Sequence, residues 1–204
     1  SVLLIEVDGL EAGLDKQRDQ IIELCNKCNA REVRIAADDK ERAKIWKCRK
    51  QAFGAIGRLS PSFCTQDGVV PRTKLPHLLR RITEIGDKYD IRIVNIFHAG
   101  DGNVHPILLF DEREPGILPK AMQAAAELME YCAEVGGTLS GEHGIGLEKK
   151  EFMPLVFSDD DMAVMRLARD AFAPQNRLNP GKIFPDGAPP SMASHRPTAP
   201  GMYI

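Results

Sequence analysis

The chain has 204 residues, 43% hydrophobic and 27% charged, a composition typical of one soluble globular domain or two small ones. A formal net charge of −2 excludes the basic surface that nucleic acid or an acidic membrane would attract. No apolar run approaches the roughly 20 residues that span a bilayer, and the first residues do not resemble a signal peptide. Because the chain opens directly on a strand-like apolar run, we expect it to be a fragment of something longer.

Strands and helices are predicted to alternate along the chain, from the periodicity of its apolar residues. The first half is predicted to contain a strand at 1–8, a helix at 11–29, a strand at 31–36, a helix at 38–57, a strand at 63–70 and a helix at 75–89. The second half is predicted to contain a hairpin at 91–110, a helix at 119–135, a short strand at 138–140 and helices at 148–157 and 159–172.

This order predicts an α+β fold. The central hairpin excludes a purely parallel sheet, so we expect a ferredoxin-like antiparallel or mixed sheet with helices packed on one face. We expect a single domain over 1–185. The remaining residues, 186–204, are rich in proline and are predicted to be an extended or disordered tail.

Several reactive side chains are expected to carry no chemistry. Five cysteines at scattered positions predict reduced thiols in a cytoplasmic compartment. The pair Cys25 and Cys28 has C-x-x-C spacing, but it lies in a predicted helix and has no second such pair to complete a zinc site. The cations at 80–81 and at 149–150, as well as His77, are interpreted as solvated.

A candidate metal site is indicated by two separate stretches. His98-Ala-Gly-Asp-Gly-Asn-Val-His105 spans the turn of the predicted hairpin, and if its histidines pair across the strands they share one face with Cβ atoms about 5 Å apart. Further on, Glu142 and His143 lie in the glycine-rich segment 136–146, where glycine permits close backbone approach. Two histidines and one carboxylate form a ligand set that leaves metal positions open.

Three motifs in order resemble the C-terminal domain of FAD-linked oxidases, a family of vanillyl-alcohol-oxidase-type flavoproteins that includes D-lactate, D-2-hydroxyglutarate and glycolate dehydrogenases. They are the stretches 98–105, 136–146 and Leu178-Asn-Pro-Gly-Lys182. The segments 49–58 and 64–71 are most similar to the FAD-containing large subunit of glycolate oxidases. The resemblance covers nearly the whole chain, up to about residue 185.

The resemblance implies a function as the substrate-side domain of a flavin-dependent 2-hydroxy-acid dehydrogenase, oxidising glycolate to glyoxylate with hydride transfer to FAD. It implies a divalent metal, often zinc, held by His98, His105 and Glu142. The metal would hold oxygens of the small 2-hydroxy-acid substrate, and His143 would be the base that takes the hydroxyl proton.

The resemblance also implies substrate and flavin contacts. Arg49 would pair with the substrate carboxylate, for which a planar guanidinium is suited. Asn103, expected inside the hairpin turn, would add a hydrogen bond to the substrate. Asn179 and Lys182 would lie near the edge of the flavin.

The FAD-binding domain that precedes this one in the family is absent from the chain, which has no glycine-rich nucleotide loop. We therefore expect the chain alone to bind little FAD and to be inactive. The resemblance to glycolate oxidase implies a second FAD-type subunit and an iron–sulfur subunit as partners. Through them the cytoplasmic protein would lie at the periphery of the inner membrane.

Three alternatives stay open. The chain could serve a D-lactate or D-2-hydroxyglutarate dehydrogenase, although relatives that act on longer dicarboxylates carry a lysine near Thr65, which favours a small acid here. It could be a metal-dependent hydrolase, but the spacing of its histidines and acid is not the helical H-E-x-x-H of metalloproteases. It could also be a non-catalytic metal-binding or interaction domain.

Overall fold

The computed structural model describes residues 1–187 and divides the chain after Ile56 into two compact units. The first unit contains two helices, α1 (Glu11–Lys27) and α2 (Asp39–Ile56). Helix α2 begins where the Asp38 carboxylate accepts a hydrogen bond of 2.7 Å from the backbone N–H of Glu41. Both predicted helices of this unit are confirmed within two residues of their bounds.

The two strands predicted in the first unit are wrong. Residues 1–8 and 31–36 have no strand structure, and Val2 is 97% exposed. An alternating sequence favours a strand only where a neighbouring strand satisfies its backbone N–H and C=O groups. The described residues provide no such neighbour for these two segments.

The second unit is built on a four-stranded antiparallel sheet. Its strands are β1 (Ser62–Thr65), β2 (Gly68–Val69), β3 (Arg92–His98) and β4 (Asn103–Phe110). Strand β4 pairs with β3 along one edge and with both β1 and β2 along the other. The predicted hairpin and the α+β class are therefore confirmed.

Two helices, α3 (Leu75–Tyr89) and α4 (Ile117–Glu134), pack on one face of this sheet. The core between them contains Val104 and Leu108 of β4, Ile82 of α3 and Leu128 of α4, all almost fully buried. Because side chains alternate along a strand, the odd-numbered residues 103–109 of β4 lie on the opposite face. The hydrophobic pattern of β4 thus separates a helix-covered face from a second face on which polar residues gather.

The segment predicted as one strand over 63–70 is interrupted at Gln66 and Asp67. The partner strand has Pro106 at this level, which lacks an N–H, and the remaining bond runs from the Gln66 N–H to the Pro106 carbonyl at 2.8 Å. The predicted strand at 138–140 is reduced to a single bridge between Thr138 and Val69.

The last elements are a 3-10 helix, Lys150–Leu155, where an α-helix was predicted, and helix α5 (Asp159–Phe172), which has the predicted bounds. Pro154 inside the 3-10 segment removes an N–H that a longer α-helix would need. Most of the predicted tail, 188–204, lies outside the described residues. Within residues 1–187, no helix combines the length and apolarity required to cross a membrane.

The turn between β3 and β4 depends on one glycine. Gly102 has a φ of +76°, and a Cβ atom there would lie 2.1 Å from the Val70 carbonyl oxygen. The Val70 N–H also donates to the Gly102 carbonyl at 3.1 Å, so the two backbones are held in contact. Gly100 in the same turn has no left-handed φ, and a Cβ there would meet nothing within 4 Å.

We expect Gly102→Ala to lower the free energy of unfolding by about 2 kcal/mol or more, because it combines backbone strain with a steric clash. Gly100→Ala is the matched control and should change stability little. Urea denaturation followed by circular dichroism measures both. Equal stabilities of the two variants would contradict the close backbone approach at Gly102.

Candidate metal centre

The two predicted histidine ligands lie on the same face of the sheet. The register of β3 and β4 pairs His98 with Asn103 and Ile96 with His105, so the histidines are diagonal neighbours and not directly opposite each other. Their ring centroids are 5.6 Å apart and the ring planes are nearly perpendicular, at 89°. His105 is 5% exposed, whereas His98 is exposed at the end of its strand.

The loop after Thr138 brings the predicted acid and base to these histidines. Glu142 Oε1 is 3.0 Å from Nε2 of His105 and 3.9 Å from Nε2 of His98. One ligand atom from each of these three residues lies within 4.8 Å of the others. The ring of His143 stacks on that of His105, with centroids 4.8 Å apart and planes inclined by 7°.

This donor set fits a divalent cation. Two imidazole nitrogens and one carboxylate oxygen are ligands that zinc and similar ions accept, and three protein ligands leave a position for another oxygen. The pKa of His105 is lowered by burial and by the neighbouring His143, with Asp67 and Glu142 acting in the opposite direction. A neutral imidazole retains the lone pair that a metal requires.

Close packing around Asn103 requires glycine at position 141. A Cβ atom on Gly141 would lie 2.6 Å from Cγ2 of Val69 and 2.7 Å from Nδ2 of Asn103. Asn103 is the first residue of β4, and its predicted place inside the turn is wrong because the turn already ends at Gly102. Its side chain is buried, and its Oδ1 has no hydrogen-bond partner among the described residues.

A buried acid that the sequence did not single out lies opposite His105. Strands β1 and β2 pair with β4 in one continuous register, which places Asp67 at the level of His105 between the paired residues Thr65 and Gly68. Asp67 is 0% exposed, and its Oδ1 lies 3.8 Å from Nδ1 of His105. Neither atom has a hydrogen-bond partner among the residues described.

The other oxygen of this acid holds the loop that carries Glu142 and His143. Asp67 Oδ2 accepts a hydrogen bond of 2.6 Å from the Ser140 hydroxyl and three more, of 2.9 to 3.2 Å, from the consecutive backbone N–H groups of residues 141–143. Burial alone would raise the pKa of Asp67. The hydrogen bonds from Ser140, His143 and Glu142, together with the charge of Lys149, outweigh this effect and hold the pKa well below its usual range.

Lys149 lies beneath the same loop, so its predicted place on a solvated helix face is wrong. It is 5% exposed, and its ammonium donates to the carbonyls of Asp67 (2.7 Å) and Leu139 (2.8 Å). It also lies 3.7 Å from Asp67 Oδ2. Lys150 is likewise buried and forms an ion pair of 2.6 Å with Asp186.

The remaining predicted site residues lie in two places. Lys182 donates to Asn179 at 3.1 Å, and both side chains are exposed. The Ile183 N–H donates to the Gly146 carbonyl at 2.8 Å, which ties this segment to the end of the loop bearing His143. Arg49 lies on α2, in the first compact unit, and is half-buried.

Asp67, Ser140 and Lys149 are the site residues that the sequence interpretation missed. A signal was available for Asp67, because an acid inside the predicted strand 63–70 has to find polar partners if that strand is buried. No comparable signal marks Lys149, which adjoins a second lysine in a polar stretch.

Lys149→Met should lower the free energy of unfolding by about 3–5 kcal/mol, because it leaves the buried carboxylate of Asp67 without its compensating cation. Lys120→Met, on the exposed side of α4, is the control and should have little effect. Denaturant titration of both variants gives the comparison. A loss for Lys149→Met no greater than that of the control would refute the buried pair.

The amino-acid sequence matches known proteins over most of its length. A model of the family described as FAD linked oxidases, C-terminal domain, matches residues 1–183. The chain is 43% identical to glycolate oxidase subunit GlcD of Escherichia coli strain K12 over 185 residues, which are 91% of this chain and 37% of that protein. It is 35% identical to the subunit of that name from Bacillus subtilis strain 168, over 96% of this chain and 42% of that protein.

A more distant relative is the mitochondrial D-lactate dehydrogenase [cytochrome] of Arabidopsis thaliana, 26% identical over 90% of this chain and 33% of that protein. The chain thus spans less than half the length of these curated relatives. The family match, which covers almost all of the chain, confirms the resemblance seen in the three motifs. The chain belongs to the family of FAD-linked oxidase C-terminal domains.

Proposed function

We propose that the chain is the substrate-side domain of a flavin-dependent dehydrogenase that oxidises a small 2-hydroxy acid, with glycolate oxidised to glyoxylate as the first candidate. The observation that carries the proposal is the convergence of His98, His105 and Glu142 beside the imidazole of His143. Similarity to glycolate oxidase subunits from two bacteria and to D-lactate dehydrogenases supports the same class of substrate.

The proposed metal site uses Nε2 of His98, Nε2 of His105 and Oε1 of Glu142, the atoms that converge. A divalent cation such as zinc, when bound, polarises the substrate hydroxyl and lowers its pKa. Of the three residues, His105 is buried, whereas His98 and Glu142 are exposed. The site is therefore proposed to have one fixed ligand and two that adjust to the cation and the substrate.

His143 is proposed to take the hydroxyl proton on a ring nitrogen. An imidazole exchanges protons near neutral pH, and stacking on the buried ring of His105 restricts the orientation of His143. The ring is still half exposed, so that a substrate can approach it. Asn103 offers a buried amide oxygen that has no hydrogen-bond partner among residues 1–187, on the face that bears the histidines, and is proposed to hydrogen-bond the substrate.

Arg49 is proposed to bind the substrate carboxylate through its planar guanidinium. The flavin, bound mainly by a domain outside this chain, supplies the acceptor for the hydride that leaves the substrate carbon. Asn179 and Lys182 are proposed to contact it, because their exposed polar groups lie on the segment that Ile183 ties to the loop of His143. Alone, the chain is proposed to be inactive.

The proposal extends to the assembly. Since the relatives from E. coli and B. subtilis are named as subunits, we propose that the complete protein works with others. A second FAD-type subunit and an iron–sulfur subunit would carry the electrons onward, and would place the cytoplasmic protein at the inner membrane.

The metal site is tested by elemental analysis of the purified chain. We expect about one equivalent of divalent metal in the wild type and a loss of most of it in His105→Ala, which removes the buried ligand. His77→Ala, an exposed histidine on α3, should retain the metal. Equal metal content in the two variants would contradict the assignment of His105 as a metal ligand.

The reaction is tested in the flavin-loaded enzyme that contains this chain. We expect His143→Gln to lower kcat for glycolate by about 10²–10⁴-fold, while the metal content stays at the wild-type value, because the variant removes a proton acceptor and not a ligand. Wild-type kcat/KM for glycolate and D-lactate identifies the preferred acid. Undiminished turnover in the variant contradicts the role of His143, and flavin-independent ester hydrolysis would favour a hydrolase.

A further inference from the structure

We infer that Asp67 is the positioning residue of the candidate metal centre, with one carboxylate oxygen holding the loop of Glu142 and His143 and the other orienting the ring of His105. The inference rests on the proposed function for the identity of what is bound. Its physical basis is a single buried side chain that contacts the elements carrying three of the four site residues.

The first step concerns Oδ2 and the loop. Three consecutive backbone N–H groups converge on one oxygen only when the chain curls around it, and such a concave arrangement binds an anion. The Ser140 hydroxyl donates to the same oxygen and accepts the N–H of Gly144 at 2.7 Å, which closes the loop on its far side. Without the carboxylate, these donors would lose their common acceptor, and the present conformation of the loop would leave them unsatisfied.

The second step concerns Oδ1 and the ring of His105. A cation at Nε2 requires the lone pair of that nitrogen, so the proton of a neutral ring then resides on Nδ1. Asp67 Oδ1 faces Nδ1 at 3.8 Å, and both atoms are buried without another partner among the described residues. A shift of less than about 1 Å forms a hydrogen bond between them. Carboxylates in this relation to a ligating histidine fix its tautomer and its orientation.

The third step is the competition for the proton of His105. Nε2 of His105 lies 3.0 Å from Oε1 of Glu142, within hydrogen-bonding distance. Glu142 therefore favours the proton on Nε2 and Asp67 favours it on Nδ1. When a cation binds Glu142, its carboxylate no longer favours a proton on Nε2 of His105. Asp67 then favours the proton on Nδ1, which leaves Nε2 free for the cation. The ammonium of Lys149 compensates the charge of Asp67, so the anchor remains a carboxylate inside the protein.

The test is zinc affinity of the full 204-residue chain, measured by competition with a chromophoric chelator. Asp67→Asn keeps an oxygen for the loop but points an amide N–H at Nδ1 of His105, which favours the wrong tautomer. We expect it to weaken zinc binding by at least about tenfold. Ser140→Ala, which removes one donor to Oδ2 and leaves Oδ1 untouched, should weaken it by less than about threefold. A folded Asp67→Asn variant that binds zinc as tightly as the wild type overturns the inference.

A second readout does not depend on metal. In ¹⁵N spectra of the metal-free chain, Asp67→Asn should raise the fraction of His105 that carries its proton on Nε2, whereas Ser140→Ala should not. A purely structural role of Asp67 predicts no change in that fraction. An unchanged fraction in a folded Asp67→Asn variant therefore overturns the orienting role.

Hydrogen exchange of the wild type separates the remaining outcomes. The amides of residues 141–143 should be protected, since each donates to a buried carboxylate. If the wild type binds no zinc, the proposed metal function fails, and amide protection together with the tautomer still decides the positioning role. If Asp67→Asn does not fold, the wild-type amides decide alone, and rapid exchange at 141–143 overturns the inference.

Discussion

The site depends on the pairing of β4 along both of its edges. Along one edge β4 pairs with β3 in a register that places His98 diagonally from His105. Along the other edge it pairs with β1 and β2, the strands on either side of Asp67. Val104 and Leu108 fix this register because they must face the helices. A slip of one residue would turn His105 into the apolar core and the leucine out of it. The energy of core packing thus holds His105 in place.

The second constraint is electrostatic. Glu142 and His143 lie in a loop that forms a single bridge with the sheet, at Thr138. Hydrogen bonds from their backbone N–H groups to Asp67 hold the rest of the loop against the sheet. A buried carboxylate is unfavourable unless its lone pairs are used and its charge is compensated. Asp67 meets both conditions through the loop N–H groups and Lys149, and the loop acquires a fixed conformation as a consequence. Stability and site geometry therefore share one set of contacts.

The sequence predicted those parts of the structure whose signals are local. Helix α5 has a capping box at Ser158 and three acids in its first turn, and its predicted bounds are confirmed. The histidines and Glu142 were marked by the glycines around them, and the structure brings them together. The strand predicted over 31–36 failed because alternation specifies a face but not a partner. The prediction that Lys149 is solvated failed because the burial of a cation depends on a distant carboxylate and two carbonyls, which no local pattern encodes.

If the proposed function is right, the charges around the site give a reason for coupling the proposed substrate to the proposed cation. Asp67 and Lys149 compensate each other, so the carboxylate of Glu142 leaves about one negative charge facing the histidines. A 2-hydroxy acid brings a second negative charge and would be repelled at short range, where interactions in a protein are weakly screened. A divalent cation brings the net charge of Glu142 and the acid close to zero, and it attracts the carboxylates of both. Under the proposed function, cation and substrate therefore bind cooperatively, and the neutral Asp67–Lys149 pair lets the protein orient His105 without adding a further charge that would oppose the acid.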